Sequence, residues 1–86
     1  MRIKVKKIID GDTFEDTRHR FFRLAEVDAP EKKERGYNKA KEALQNIIGG
    51  EELIVNQVGV SYGRKVIEAR IPGEKISVNT KMKRKI

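Results

Sequence analysis

Nine residues, RLAEVDAPE from Arg23 to Glu31, bring an arginine together with Glu26, Asp28 and Glu31 in a chain of 86 residues. Carboxylates can bind a hard cation or accept a proton, and arginine's planar fork pairs with phosphate oxygens. A second acidic group, DGDT, places Asp10 and Asp12 around a glycine, and YGR sets Tyr62 just ahead of Arg64. Taken singly, each has an ordinary structural reading. Asp-Gly is a common turn dipeptide, Asp28 can cap the turn before Pro30, and Glu31 opens the solvated run EKKER. Arg23 and Arg64 equally suit the surface of strands. What singles these residues out is their combination in one order along the chain.

The elements that must position them can be read from periodicity. Ile3 and Val5 alternate with Arg2, Lys4 and Lys6, as in a half-buried strand that closes at Ile8-Ile9 before Asp10-Gly11. A second strand, Thr13 to Asp16, turns through Thr17 to Arg20 into a third that begins at Phe21. His19 lies in that polar turn and is assigned no function. From Tyr37 the period changes: Ala40, Leu44, Ile47 and Ile48 share one helical face, and Gly49-Gly50 supplies the stop. Leu53 to Val58 reads as a fourth strand and Lys65 to Ile71 as a fifth, followed by a turn at Pro72-Gly73.

Within the third strand, Leu24 and Val27 fall on opposite faces if the strand is regular, and strict alternation would turn Glu26 inward. A bulge or sharp bend between them is therefore expected. Asn79 is expected to cap a short last helix that frays. The expected fold is α+β and mainly β: a small five-stranded OB-type barrel with a helix inserted after the third strand and a short C-terminal helix. Residues 1–80 form the expected single domain and 81–86 a basic tail.

Composition sets the outer bounds. The absence of cysteine excludes disulfides and thiolate zinc sites. With no signal-peptide pattern and no apolar run long enough to span a bilayer, a soluble, cytoplasmic protein without a membrane partner is expected. The net charge of +7 points to a polyanionic partner, though Lys81, Lys83, Arg84 and Lys85 crowd into the last six residues. That cluster reads equally as solvated charge or as a nucleic-acid contact.

The ordered set is D-G-D-T after strand one, R-L-x-x-V-D-A-P-E leading out of strand three, G-x-x-x-A-x-x-x-L-x-x-I-I-x-G on the helix, and Y-G-R entering strand five. It resembles the staphylococcal nuclease-like (thermonuclease) family over nearly the whole chain. The resemblance implies a calcium-dependent nuclease that hydrolyses DNA and/or RNA with little sequence preference, cleaving the 5′ P–O bond to leave 3′-phosphates. It implies Asp12, Asp28 and the Ala29 carbonyl as calcium (Ca2+) ligands, Glu31 as the base that activates water, and Arg23 and Arg64 as phosphate clamps. Tyr62 would border the nucleotide pocket, and Asp10 would stand at the rim of the metal site. The chain departs from the family pattern at Ser61, where an acid is usual, and at Glu26, where glycine or an apolar residue is preferred. Family members typically continue past a Val-Asn pair into further helices, so the resemblance is to a short form. The alternative is a non-catalytic nucleic-acid-binding barrel, and a third reading is a small basic partner in a larger complex.

Overall fold

The computed structural model describes residues 1–86. Its elements are β1 (Arg2–Ile8), β2 (Thr13–Asp16), β3 (Phe21–Leu24), α1 (Tyr37–Ile48), β4 (Glu52–Ser61), β5 (Arg64–Arg70) and α2 (Val78–Lys85). The strands close into a barrel in the order β1-β2-β3-β5-β4, with β3 and β5 parallel and the other neighbours antiparallel. This is the expected five-stranded α+β barrel, with one helix after the third strand and a short one at the C-terminal end. No helix is long and apolar enough to cross a membrane.

The core follows from strand alternation, adjusted at two irregular points. Ile3 and Val5 face inward, and a register shift between Val5 and Lys7 brings Ile8 to the same side despite its odd spacing. Phe14 of β2 and Phe22 of β3 stack inside with ring centroids 5.6 Å apart. Leu24, Leu53, Val55, Ile67 and Ala69 continue the same core, and Leu44 and Ile48 of α1 join it with Val78 and Met82 of α2.

The second irregularity is the bend expected after β3. The strand stops at Leu24, and a turn at Ala25-Glu26 lets both Leu24 and Val27 be buried while Glu26 stays exposed. Glu26 adopts a left-handed backbone, φ 60°, the region that favours glycine. Its carboxylate lies 3.8 Å from Lys83 of α2.

The last helix differs from expectation in its cap. Ser77 is the N-cap, its Oγ accepting from the Thr80 N–H at 3.1 Å. Asn79 is buried in the first turn and used elsewhere. Its Nδ2 donates to the carbonyls of Ala25 and Ile67, both at 3.0 Å, and its Oδ1 accepts from the Ala69 N–H at 2.9 Å. One amide thus ties α2 to β5 and to the turn that leads out of β3. The basic segment after residue 80 is helical through Lys85 and anchored by buried Met82, so it belongs to the packed fold. Lys81 pairs with Glu74 and Lys83 with Glu26, which leaves Arg84 and Lys85 as its unpaired cations.

Asn79→Ala removes three hydrogen bonds and strands buried backbone groups. Chemical denaturation should show a loss of about 2–4 kcal/mol, at roughly 1 kcal/mol or more per bond. A loss below about 0.5 kcal/mol, the scale of a neutral surface change, would mean that α2 is not docked through this amide.

Candidate functional site

The site is built around Gly11. A Cβ added there would come within 2.7 Å of the Cβ atoms of both Ala29 and Ala40. Only glycine lets the β1–β2 turn approach the 28–31 loop and the start of α1 this closely. The consequence is local: Asp10 and Asp12, either side of Gly11, are held against Ala29. The Asp10 carboxylate accepts from the Asp12 N–H at 3.0 Å, and the Ala29 N–H donates to Asp12 Oδ2 at 3.2 Å.

Asp12 is only 7% exposed and collects partners from three directions. Its Oδ1 accepts from the Thr13 hydroxyl at 2.8 Å, and the Thr13 oxygen accepts in turn from Arg64 Nη1 at 3.3 Å. Its Oδ2 lies 3.5 Å from Arg23 Nη2, and that same nitrogen is 3.4 Å from Asp28 Oδ1. A continuous path therefore runs from Arg64 through Thr13, Asp12 and Arg23 to Asp28. Arg23 is steadied further by the carbonyls of Leu24, at 3.3 Å, and Val27, at 3.2 Å.

The structure thus brings together Asp10, Asp12, Arg23, Asp28, Ala29 and Arg64. Glu31 stands apart from this path: it is exposed, and it lines a surface cavity with Asp28 and Ala29. Tyr62 is 94% exposed at the tip of the β4–β5 hairpin and packs against nothing in the site. Two contributors escaped sequence reasoning. Thr13 links Arg64 to Asp12, for which the only signal was a hydroxyl directly after the aspartate. Glu34 accepts from the Glu31 N–H at 2.6 Å and so shapes the loop that carries Glu31.

Burial pushes the Asp12 carboxyl above its ordinary value, and the neighbouring Asp10 carboxylate adds to the rise. Asp12 and Asp28 share the Arg23 guanidinium, and Asp10 stands beside Asp12 through the Asp12 N–H. The side-chain acceptors of Asp10, Asp12 and Asp28 are all oxygens, the donor type that a hard divalent cation takes. No three acidic or histidine side chains converge tightly enough to form a complete metal centre by themselves. Comparison with known proteins finds no family model and no curated protein that matches this chain.

The raised Asp12 value has a signed consequence. A carboxyl with a native pKa above its unfolded value favours the fold only while protonated. That contribution is full below the ordinary value, near pH 4, and is lost as pH rises through the native value. Asp12→Asn should therefore make the metal-free protein more stable than the unaltered one at neutral pH, with the gap closing in acid. Thermal melts across pH in a chelator test this. A variant less stable at neutral pH would show that the hydrogen bonds of the carboxylate outweigh its burial.

Proposed function

We propose that this chain is a calcium-dependent nuclease of the staphylococcal nuclease-like type, hydrolysing phosphodiester bonds of DNA and/or RNA with little sequence preference. The observation that carries this reading is the path from Arg64 to Asp28, which interleaves two guanidiniums with two carboxylates from separate strands and loops. A protein that only binds polyanions has no use for buried carboxylates at its contact surface, because they repel phosphate. A phosphodiesterase needs both signs of charge at one phosphate.

Each residue has a role in that reaction. Asp12 and Asp28, with the Ala29 carbonyl, would hold calcium, and Asp10 would support Asp12 through its backbone N–H. When bound, calcium would offset the charge that develops on the phosphoryl oxygens. Glu31, exposed beside Asp28, would take a proton from the attacking water. Arg23 and Arg64 would donate to the phosphoryl oxygens. The Arg23 contacts with Leu24, Asp12, Val27 and Asp28 lie at 3.2–3.5 Å, long for bonds from a charged donor, so a phosphate oxygen can replace one at small cost. As the water oxygen bonds to phosphorus, the bond to the 5′ oxygen breaks; that oxygen takes a proton from solvent and leaves as a hydroxyl, Glu31 returns its proton to solvent, and the phosphate stays on the 3′ side. Tyr62, at the hairpin tip ahead of Arg64, would border the nucleotide.

The test is cleavage of single-stranded DNA and RNA with calcium and with a chelator. Calcium-dependent cleavage is expected; binding without cleavage under both conditions would make the chain a binding module. Three variants separate the roles. Glu31→Gln should lower turnover by roughly 10²–10⁴-fold, the usual worth of a general base. Asp28→Asn should weaken calcium binding, with part of its activity regained at higher calcium. Arg64→Lys should reduce turnover more than substrate affinity, since the lost fork matters most in the transition state. Activity that falls in all three only in proportion to lost folding would remove the assigned site.

A further inference from the structure

The opposite end of β2 carries a site of different character. The β2–β3 turn, residues 17–20, and the start of β1 enclose a cavity of about 400 Å³ whose walls include Arg2, Lys4, Thr17, Arg18, Arg20 and Glu52. The buried Asp16 carboxylate organises it. Asp16 Oδ1 accepts from the backbone N–H groups of Arg18, at 3.1 Å, and Arg20, at 2.8 Å, while Oδ2 accepts from Arg20 Nε at 2.9 Å and lies 2.8 Å from its Nη2. Burial works against the Asp16 charge, but these Arg20 and Arg18 bonds outweigh it and hold the carboxyl below its ordinary value.

Arg20 is therefore fixed by one edge, and its side chain lies over the Phe22 ring, 5.7 Å from the centroid. Its remaining amino group has a poor acceptor: Nη1 meets only the Met1 thioether sulfur, at 3.5 Å. Around it the cations outnumber the acids. Thr17 donates its N–H to the Lys4 carbonyl at 3.0 Å, which sets Lys4 beside the turn, and neither Lys4 nor Arg18 has an ion-pair partner. Asp16 is satisfied by Arg20, and Glu52 touches only Arg2, at 3.5 Å between two largely exposed side chains. By contrast, the cavity beside Asp28 is lined by three carboxylates and one arginine.

We infer that this cavity is a second phosphate-binding site, in which the open edge of Arg20 and the side chains of Lys4 and Arg18 receive a phosphate group. A clamped guanidinium with a free N–H edge is preorganised for a phosphate oxygen, and flanking cations supply the attraction. The four residue steps from Asp12 to Asp16 span about 13 Å at the rise of a strand. A nucleic-acid strand a few nucleotides long can thus reach both ends. The inference does not depend on cleavage at the Asp12 end.

The test uses the whole protein in a chelator, followed by amide NMR during titration with inorganic phosphate and, separately, with a short single-stranded oligonucleotide. Amides of Lys4 and residues 16–20 should shift with at least one of them, and Lys4→Ala/Arg18→Ala should suppress those shifts without changing the rest of the spectrum. A response to the oligonucleotide alone identifies strand phosphodiesters as the ligand, and a response to inorganic phosphate alone identifies a free phosphate anion. With the oligonucleotide as ligand, the double variant should also flatten the log–log salt dependence of binding by about two units, one for each lost phosphate contact. No localised shift with either probe, or shifts that persist in the double variant, would overturn the site. Calcium-dependent cleavage that persists without a response at residues 16–20 overturns this inference alone. A response there without any cleavage overturns the nuclease reading alone.

Discussion

A single buried carboxylate, that of Asp12, sets the terms for the rest of this site. Removing an anion from water is costly unless it is paired and hydrogen-bonded, and three neighbours of Asp12 address that need. The Thr13 hydroxyl, the Ala29 N–H and the Arg23 guanidinium each meet one of its oxygens. Asp10 acts the other way, adding like charge beside it. The result is satisfied in its hydrogen bonds, yet burial, with Asp10 beside it, still holds the carboxyl above its ordinary value. The proposed cation would lower that cost by adding positive charge beside Asp12.

The same constraint explains how a small barrel places the surrounding residues. Gly11 allows the β1–β2 turn to touch Ala29 and Ala40, so the 28–31 loop is located by direct packing. Further back, Asn79 fixes the Ala25 carbonyl and hence the turn from which that loop departs. The Lys83–Glu26 pair braces the same turn from outside, but between exposed side chains it contributes little. Its left-handed backbone at Glu26 is sustained mainly by the burial of Leu24 on one side and Val27 on the other. The acidic end of the barrel is therefore tied to both helices. The basic end depends instead on one internal pair, Asp16 with Arg20.

Much of this was legible in the chain because the signals were local. Alternation in Ile3 and Val5, the one-faced apolar stripe from Ala40 to Ile48, and the stop at Gly49-Gly50 all reported short-range physics. The bend after Leu24 was forced by the odd spacing of Val27. Features that rest on distant partners were hidden. Asn79 read as a cap because asparagine favours caps, whereas its buried amide serves β5 and Ala25, 54 residues away for the latter. The pairing of Glu26 with Lys83 of α2, 57 residues on, likewise had no local signal. β4 runs three residues past the Val58 at which the sequence reading ends it, through Gly59 and Val60 to Ser61. The two-residue turn at Tyr62-Gly63, with φ values of 50° and 76°, lets the hairpin extend to Ser61. In the site, residue types and order pointed to the cluster. The role of Thr13 between Arg64 and Asp12 needed three dimensions.

The central proposal, that the buried Asp12 carboxylate helps to hold calcium, is tested most directly by titrating its side-chain carboxyl by carbon NMR with and without the ion. The metal-free protein should show Asp12 titrating above the ordinary aspartate range, with Asp16 below it. Saturating calcium should move Asp12 sharply downward and leave Asp16 where it is. An Asp12 titration that calcium does not alter would contradict the account.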